Sequence, residues 1–185
     1  KLTVSGEGGI FVTNDKEIFE KARLLSSMGR TDSKAVFWSD MIGYQYTIAN
    51  LTAALALAQV ERVEELLAKK RQIFNWYYER LKDVPGIKII KEKVGCKSNY
   101  CYPSILLNDS IHANRDTVLQ KLKEMNIHCR PGFPRMSRFP VFEQRLPNPV
   151  AQKVEERGIS LASAANLVED DVDFVCRKLR DYIRD

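Results

Sequence analysis

The chain opens with Lys1-Leu2-Thr3-Val4-Ser5-Gly6-Glu7-Gly8-Gly9 and continues as Ile10-Phe11-Val12-Thr13. Residues 9–13 form an apolar run that predicts a short buried strand after a glycine-rich turn. A lysine at such a turn can form a Schiff base with an aldehyde cofactor, which requires a partly buried amine. A single lysine in a basic chain is more often a solvated charge, and the turn can be an ordinary one. The interpretation therefore depends on the rest of the chain.

Length and composition restrict the class of protein. A chain of 185 residues, 44% hydrophobic and 29% charged, fits one globular domain or one domain with part of another. The net charge of +5 comes from interleaved acidic and basic residues, which argues against nucleic acid as a partner. The 185 residues contain no signal peptide and no apolar run long enough to cross a bilayer, and a cytoplasmic location without membrane contact is expected. A targeting segment ahead of Lys1 is the open alternative. Because the chain opens on Lys1 without Met, we expect the C-terminal half of a larger enzyme.

Two groups of residues have only structural interpretations. The basic run Lys69-Lys70-Arg71 lies within a helical pattern and is expected on a solvated helix face. The cysteines match no zinc-binding or CxxC spacing, so we predict buried free thiols and no metal site. They are Cys96, Cys101, Cys129 and Cys176.

The first seventy residues predict helices separated by an aromatic loop. Asn14 caps the first helix with Glu17 three residues later as a capping box, and the helix extends to Met28, where Gly29 ends it. Residues 30–47 show no periodicity and are rich in aromatic side chains. A helix from Asn50 is apolar nearly all round, which predicts burial on most sides.

A longer amphipathic helix is predicted over residues 60–82 and ends at Pro85-Gly86. After it, strands alternate with helices, which indicates a small α/β domain. The predicted strands cover residues 87–91, 100–107, 127–130 and 159–161, and the predicted helices cover residues 115–125, 149–156 and 169–183. Asn114 is the expected cap of the first of these helices. Tyr77 and Tyr78 of the run Trp76-Tyr77-Tyr78 fit the apolar stripe and are expected in the core.

Several motifs occur together in a recognisable order. They are the opening lysine with its Gly-Glu-Gly-Gly turn, Gly43-Tyr44-Gln45-Tyr46, the Ala-rich helix ending at Ala58-Gln59, Ser98-Asn99-Tyr100, and Arg130-Pro131. In this order the chain resembles the DegT/DnrJ/StrS family of pyridoxal 5'-phosphate-dependent nucleotide-sugar aminotransferases. In the general character of its sequence it is most similar to the GDP-perosamine-synthase-like branch. The resemblance implies an α/β fold, the C-terminal part of a fold type I transferase. Residues 1–72 would end the large domain and residues 73–185 would form the small domain.

The resemblance also implies roles for residues near the start of the chain. In the family, the lysine eight residues before the position of Gly9 carries the cofactor, which makes Lys1 the catalytic and cofactor-binding lysine. Dehydratase members have His there, so Lys1 indicates transamination. The turn that contains Gln45 and Thr47 reaches the cofactor phosphate of the neighbouring subunit in a homodimer. Relatives commonly have Asn or Arg in this turn; Gln45 and Thr47 can still donate hydrogen bonds, and a packed aromatic loop is the alternative.

Substrate contacts are implied for the Pro-rich loop and for one strand. Arg135 and Arg138 are candidates for a nucleotide-sugar diphosphate, with surface charges as the alternative. Ser137 stands where relatives often have His near the sugar. Tyr100 is a candidate for the pocket wall, although any half-buried strand alternates in the same way.

The resemblance implies transfer of an amino group from L-glutamate to a 4-keto-6-deoxy sugar linked to a nucleotide. The carboxylate for the cofactor's ring nitrogen is expected upstream of Lys1, so the 185-residue chain alone is expected to be inactive. A non-catalytic homologue that acts as a binding or regulatory protein is the alternative, motivated by Gln45, Thr47 and Ser137. A stand-alone helical interaction module would leave the strands unexplained.

Overall fold

The computed structural model describes residues 1–31, 35–143 and 147–184. It divides into two compact units, Lys1 with Thr3–Val63 and Leu2 with Glu64–Asp185. The helices are α1 (Lys16–Ser26), α2 (Asn50–Glu61), α3 (Val63–Leu81), α4 (Arg115–Glu124), α5 (Pro149–Arg157) and α6 (Glu169–Arg184). The strands are β1 (Ile87–Ile89), β2 (Ser104–Leu107), β3 (Arg130–Pro131) and β4 (Gly158–Ser160), and a 3-10 turn spans Met136–Arg138. The domain boundary after residue 72 concerns the parent enzyme and stays a prediction.

The cap of α1 is Asp15, so the predicted Asn14 capping box is wrong. The Asp15 carboxylate accepts from the backbone N–H groups of Glu17 at 2.9 Å and Ile18 at 3.1 Å. Because these bonds satisfy two of the N–H groups that lack a partner within the helix, the helix begins one residue later than predicted.

The C-terminal end of α1 also differs from the prediction. The helix ends at Ser26, and Met28 and Gly29 take positive φ angles of 61° and 68°. The Gly29 N–H donates to the Leu24 carbonyl at 2.8 Å, as in a left-handed helix end. Gly29 thus ends the helix as predicted, but two residues of the last predicted turn are not helical.

The buried strand predicted for residues 9–13 is wrong, whereas the burial expected of α2 in the complete fold and dimer stays a prediction. Residues 9–13 form no strand, and the Ile10 side chain is 89% exposed. Helix α2 exists as predicted but has no buried residue, and Leu51 is 87% exposed. A strand needs a pairing neighbour and an apolar helix needs a packing partner, and the described residues provide neither.

The second unit is an antiparallel sheet with strand order β1-β2-β4-β3. Ile105 of β2 lies opposite Ile159 of β4, and both are fully buried on the helix-covered face. The core also takes residues from α3, α4 and α6, namely Ile73, Phe74, Tyr77, Leu81, Val118, Leu122, Val172, Val175, Cys176, Leu179 and Ile183. Helices α3, α4 and α6 and the Asn114 cap, which accepts from the Asp116 N–H at 2.8 Å, are confirmed.

Three strands are shorter than predicted, and the first of them, β1, ends at Ile89 instead of residue 91. Strand β2 begins at Ser104, because Tyr100 has a φ of 43° and turns the backbone out of the extended conformation. Strand β3 contains only Arg130–Pro131, and Pro131 has no N–H to donate to the sheet. Residues 100–103 therefore form a loop before β2 and are not part of the strand.

The basic run on α3 is not a solvated face, which corrects the prediction. Lys70 is only 7% exposed, and its Nζ donates to the Ser163 carbonyl oxygen. The Ser163 hydroxyl in turn donates to the Cys101 carbonyl at 2.6 Å. Because position 70 falls on the core face of the helix, its ammonium is buried but hydrogen-bonded, which limits the cost of desolvation.

The four thiols are free, as predicted, but their burial differs. Cys176 is buried, Cys101 and Cys129 are half-buried, and Cys96 is exposed, so the burial prediction is wrong for Cys96. Burial raises the pKa of Cys129 to about 11 and of Cys176 to about 12, which keeps both as unreactive thiols. Within the described residues, no group of three His, Cys, Asp or Glu side chains could hold a metal ion, and no helix is long and apolar enough to cross a membrane.

Candidate functional site

The turn after Lys1 has the backbone geometry that its glycines predict. Gly6 and Gly8 take φ angles of 85° and 127°, which residues with a Cβ rarely adopt. Lys1 itself is exposed, so the expected partial burial of its amine is wrong for this chain. Its side chain is therefore accessible to a ligand, and its catalytic role stays a prediction.

Gln45 and Thr47 form a polar pair in the first unit. The Gln45 Nε2 donates to the Thr47 Oγ1 at 2.6 Å, and a bridge to Ser27 holds the Gln45 backbone against the end of α1. The rings of Tyr44 and Tyr46 stack with centroids 5.2 Å apart and planes at 9°. Stacked tyrosines on one side and an amide-hydroxyl pair on the other give this turn a defined shape.

These residues fit a pyridoxal phosphate group by the chemistry of their donors. Lys1 provides an accessible primary amine, which can bind an aldehyde. The second N–H of Gln45 Nε2 and the hydroxyl of Thr47 remain available to donate to phosphate oxygens. Neither residue brings the positive charge or paired donors of arginine, so each phosphate contact is a neutral-donor hydrogen bond.

In the second unit, the arginines of the Pro-rich loop converge on one buried carboxylate. Glu155 of α5 accepts from Arg138 Nη1, and Arg135 Nε lies 3.5 Å from its other oxygen. Arg135 also donates from Nη1 to the Gln152 side chain at 2.8 Å. Ser137 lies between the two arginines on the 3-10 turn.

The cluster of Arg135, Arg138 and Glu155 is electrostatically asymmetric. Burial alone would raise the pKa of Glu155, but hydrogen bonds from the Arg138 side chain and the Arg135 backbone hold it below its ordinary value. The carboxylate therefore stays charged and compensates one of the two arginines. Arg138 is 59% exposed and has donors left over, whereas the Arg135 side chain is only 22% exposed. Of the two, Arg138 is the one placed to contact a ligand.

Tyr100 is a core side chain in this structure. It is 8% exposed, and its ring stacks on Phe74 with centroids 3.6 Å apart. Its hydroxyl accepts from the Glu92 N–H at 3.0 Å, and the Arg71 guanidinium lies over its ring at 5.4 Å. Tyr100 can therefore support the wall of a pocket from the core. Its low exposure does not support the predicted direct contact with a substrate.

Arg71 and Glu92 fasten the loop that carries Tyr100. Two N–H···O bonds of 2.7 and 3.0 Å join the guanidinium of Arg71 to the carboxylate of Glu92. Arg71 also donates to the Ser98 carbonyl at 2.6 Å, and the Ser98 N–H donates to Glu92 at 2.6 Å. The Arg71 and Ser98 hydrogen bonds lower the pKa of Glu92 from 4.5 to about 2.

Replacing Glu92 with Gln is expected to remove a pH-dependent part of the stability. The folded pKa of Glu92 is below its ordinary 4.5, so its contribution is present above that value and disappears as the pH falls toward 2. Thermal unfolding of the full-length gene product and of Glu92→Gln should differ most near neutral pH and converge in acid. Glu79→Gln, an exposed carboxylate on α3, is the matched control. A difference that is the same at every pH would show that the ion pair is not responsible.

A polar row on the open face of the sheet has no counterpart in the sequence-based site. Arg130 of β3 and Ser104 of β2 both lie opposite Ser160 of β4, so their side chains share one face. The two serine hydroxyls are 3.2 Å apart, and the Arg130 guanidinium lies 6.0 Å from the Tyr102 ring centroid. These three residues are far apart in the sequence, and the register of the strands brings them together. No spacing in the sequence indicates this row.

The mixed α/β fold with its small antiparallel sheet is consistent with a fragment of a fold type I transferase. In structure the chain is similar to the aminotransferase TlmJ from Streptoalloteichus hindustanus, with a TM-score of 0.89 and 22% identity over 100% of this chain and 50% of that one. The family model described as the DegT/DnrJ/EryC1/StrS aminotransferase family matches residues 1–180. The chain therefore belongs to this family, whose members depend on pyridoxal phosphate.

The curated relatives give a narrower comparison. The chain is 32% identical over 185 residues to GDP-perosamine synthase of Vibrio cholerae, covering 98% of this chain and 50% of the relative. It is 31% identical over 183 residues to the enzyme of that name from Caulobacter vibrioides, covering 97% and 49%. The chain thus spans about half the length of the curated relatives it matches.

Proposed function

We propose that the full-length protein is a pyridoxal phosphate-dependent aminotransferase that moves an amino group from L-glutamate to a nucleotide-linked 4-keto-6-deoxy sugar. The observation that carries the proposal is the family match over residues 1–180. Lys1 stands before the Gly-Glu-Gly-Gly turn, where the resemblance predicts the cofactor-binding lysine. Similarity to two GDP-perosamine synthases supports a nucleotide-sugar acceptor. We further propose a cytoplasmic homodimer without membrane or nucleic-acid partners.

Lys1 would act twice in this reaction. Its amine would hold the cofactor's aldehyde carbon between turnovers. Once the amino donor replaces it, the Lys1 Nζ would take the proton from the donor's α-carbon and return it to the cofactor side as general base and acid. When bound, pyridoxal phosphate supplies the electron sink that makes that proton acidic. Gln45 and Thr47 would donate hydrogen bonds to its phosphate across the subunit interface.

The nucleotide-sugar would be held from the second unit. Arg138, with donors beyond the one given to Glu155, would contact the diphosphate, and Ser137 would face the sugar. Arg135 would contribute mainly by charge, because its side chain is only 22% exposed and its Nη1 already donates to Gln152 of α5. Tyr100 would support the pocket wall from the core.

A coupled assay of the full-length gene product tests this proposal. L-Glutamate and GDP-4-keto-6-deoxymannose should yield 2-oxoglutarate and an amino sugar, with an absorbance band from lysine-bound cofactor on titration with pyridoxal phosphate. Absence of both the band and the product would overturn the proposal and favour the non-catalytic homologue. A band without product would support cofactor binding and contradict only the assignment of the substrates.

The 185-residue chain by itself is expected to be inactive and to aggregate. Helix α2 leaves apolar side chains such as Leu51 and Leu57 exposed, and contiguous apolar surface of this kind favours association. Analytical ultracentrifugation should show large species, and Leu51→Gln/Leu57→Gln should shift the distribution toward smaller ones. A monomer with a sharp cooperative melt would contradict this expectation.

A further inference from the structure

A single carboxylate of α5 holds both ends of the 3-10 turn in the Pro-rich loop. The turn spans Met136–Arg138, and Arg135 precedes it. Glu155 accepts from Arg138 Nη1 at the end of the turn, and its second oxygen lies 3.5 Å from Arg135 Nε at the start. Ser137 lies between these two contacts in the chain. The position of the turn relative to α5 therefore depends on one side chain.

Helix α5 is a rigid support for this carboxylate. A Cβ at Gly132 or Gly158 would lie 2.4–2.5 Å from the Val154 carbonyl oxygen, so the sheet and the helix are in close backbone contact. The Gly132 N–H donates to the Gly158 carbonyl at 2.7 Å, and Arg115 Nη1 of α4 donates to the Glu155 carbonyl oxygen. Glu155 is 6% exposed, and its backbone is held from both the sheet and α4. It is therefore not free to follow a displaced loop.

Among the described residues, the other restraints on this turn are weaker than the Glu155 carboxylate. The internal hydrogen bond from the Arg138 N–H to the Arg135 carbonyl, 3.0 Å long, sets the shape of the turn and does not attach it to α5. Met136 is 64% exposed, so its side chain does not anchor the turn in the core. Arg135 also donates to the neutral Gln152 side chain, and such a bond is weaker than one between two ions.

We propose that Glu155 is a positioning residue for the nucleotide-sugar acceptor, because it holds Ser137 and Arg138 at fixed places beside α5. This inference rests on the proposed function of the full-length protein. Arg138 gives one N–H to Glu155 and is 59% exposed, so the ion pair fixes the guanidinium and leaves other donors for the acceptor. The Glu155 side chain is buried and its oxygens face the two arginines, so it acts through them.

Positioning and charge predict opposite effects of a neutral replacement. Glu155→Gln leaves Arg135 and Arg138 without a compensating carboxylate, and the greater positive charge alone would tighten binding of a diphosphate. Loss of the anchor instead lets the turn move, and an acceptor that must order the turn binds more weakly. The sign of the change in the acceptor KM therefore distinguishes the two effects.

The two half-reactions of the full-length gene product test the proposal. For Glu155→Gln, single-turnover formation of 2-oxoglutarate from L-glutamate should stay within about two-fold of the unaltered rate, whereas the KM for GDP-4-keto-6-deoxymannose should rise by about 10-fold. Glu155→Asp keeps the charge on a shorter side chain and should raise this KM by only about 3-fold. Glu124→Gln, an exposed carboxylate of α4 that accepts from Gln120 at 3.1 Å, is the matched control.

Limited tryptic digestion measures the attachment of the turn without turnover. Trypsin cleaves after arginine and lysine, and a segment must leave its attachment before it can enter the protease. Peptide mapping of Glu155→Gln should show faster cleavage after Arg135 and Arg138, with an unchanged rate after Lys123 of α4. A matching increase at Lys123 would show that the variant loosens the whole unit, which would overturn the positioning role.

The remaining outcomes also decide the proposal. A lower acceptor KM would show that Glu155 only offsets charge, and equal losses in both half-reactions would show that it only maintains the fold. Either result, or an unchanged KM, overturns the proposal. Should Glu155→Gln fail to fold by circular dichroism, Glu155→Asp carries the test. If the unaltered protein forms no 2-oxoglutarate, the proposed function and the acceptor role fail together, and tryptic mapping still decides whether Glu155 holds the turn.

Discussion

Replacing Lys1 with alanine in the full-length gene product is expected to lower kcat for transamination by at least about 10³-fold. The variant lacks both the amine that binds the cofactor and the group that moves the proton at the donor's α-carbon. The Lys1 side chain is exposed in the 185-residue chain, so circular dichroism of the variant checks that a lower rate is not a loss of fold. Single-turnover measurement of 2-oxoglutarate formation from L-glutamate gives the rate directly.

Lys16→Ala is the control for the loss of one positive charge. Lys16 is also exposed and begins α1, so its removal should leave the rate unchanged. Transamination by Lys1→Ala at the rate of the unaltered enzyme would show that another residue carries the cofactor. A loss of rate shared by both variants would point to a general charge effect.

Replacing Tyr77 with alanine is expected to destabilise the second unit by about 3–5 kcal/mol, the range for large-to-small changes of buried aromatics. Tyr77 is fully buried, and burial raises the pKa of its hydroxyl, which donates to the Ala162 carbonyl at 2.9 Å. Tyr77→Phe keeps the ring and removes only this hydrogen bond, so we expect a loss of about 1 kcal/mol. Urea unfolding of the full-length gene product, followed by circular dichroism, measures both.

The pair of variants separates packing from hydrogen bonding. If Tyr77→Phe destabilises the protein as much as Tyr77→Ala, the hydroxyl is the essential group and packing of the ring contributes little. If neither variant changes the unfolding midpoint, Tyr77 is not part of a cooperative core.

The helices of the second unit follow from local signals in the sequence. The α4 cap at Asn114 and the apolar stripe of α6 depend on residues within a few positions of each other. Such signals remain valid whatever lies elsewhere in the chain. The prediction of α3 succeeded for the same reason, and its Tyr77 lies in the core as predicted.

Predictions that depended on distant partners were less successful. Residues 9–13 have strand composition, but pairing requires another strand and none of the described residues provides it. The apolar character of α2 predicts burial, but burial requires a surface to pack against. Lys70 was assigned to solvent because lysine is usually exposed, whereas the position of Ser163 decides its burial.

The candidate site divides in the same way. Lys1 and the turn of Gln45 and Thr47 could be selected because contiguous motifs carry them. The hydrogen bond from Arg138 to Glu155 joins a loop to a helix that lies later in the chain, and no sequence motif indicates this contact. The Arg130 row depends on the register of three strands, which only coordinates reveal.

The central claim is that Lys1 binds pyridoxal phosphate, and borohydride trapping with peptide mapping tests it most directly. The full-length gene product must be used, because in the 185-residue chain the α-amine of Lys1 is a second primary amine that would also react with the aldehyde. If Lys1 binds the cofactor, a pyridoxyl label is expected on the Lys1 side chain. No label, or a label scattered over surface lysines, would contradict it.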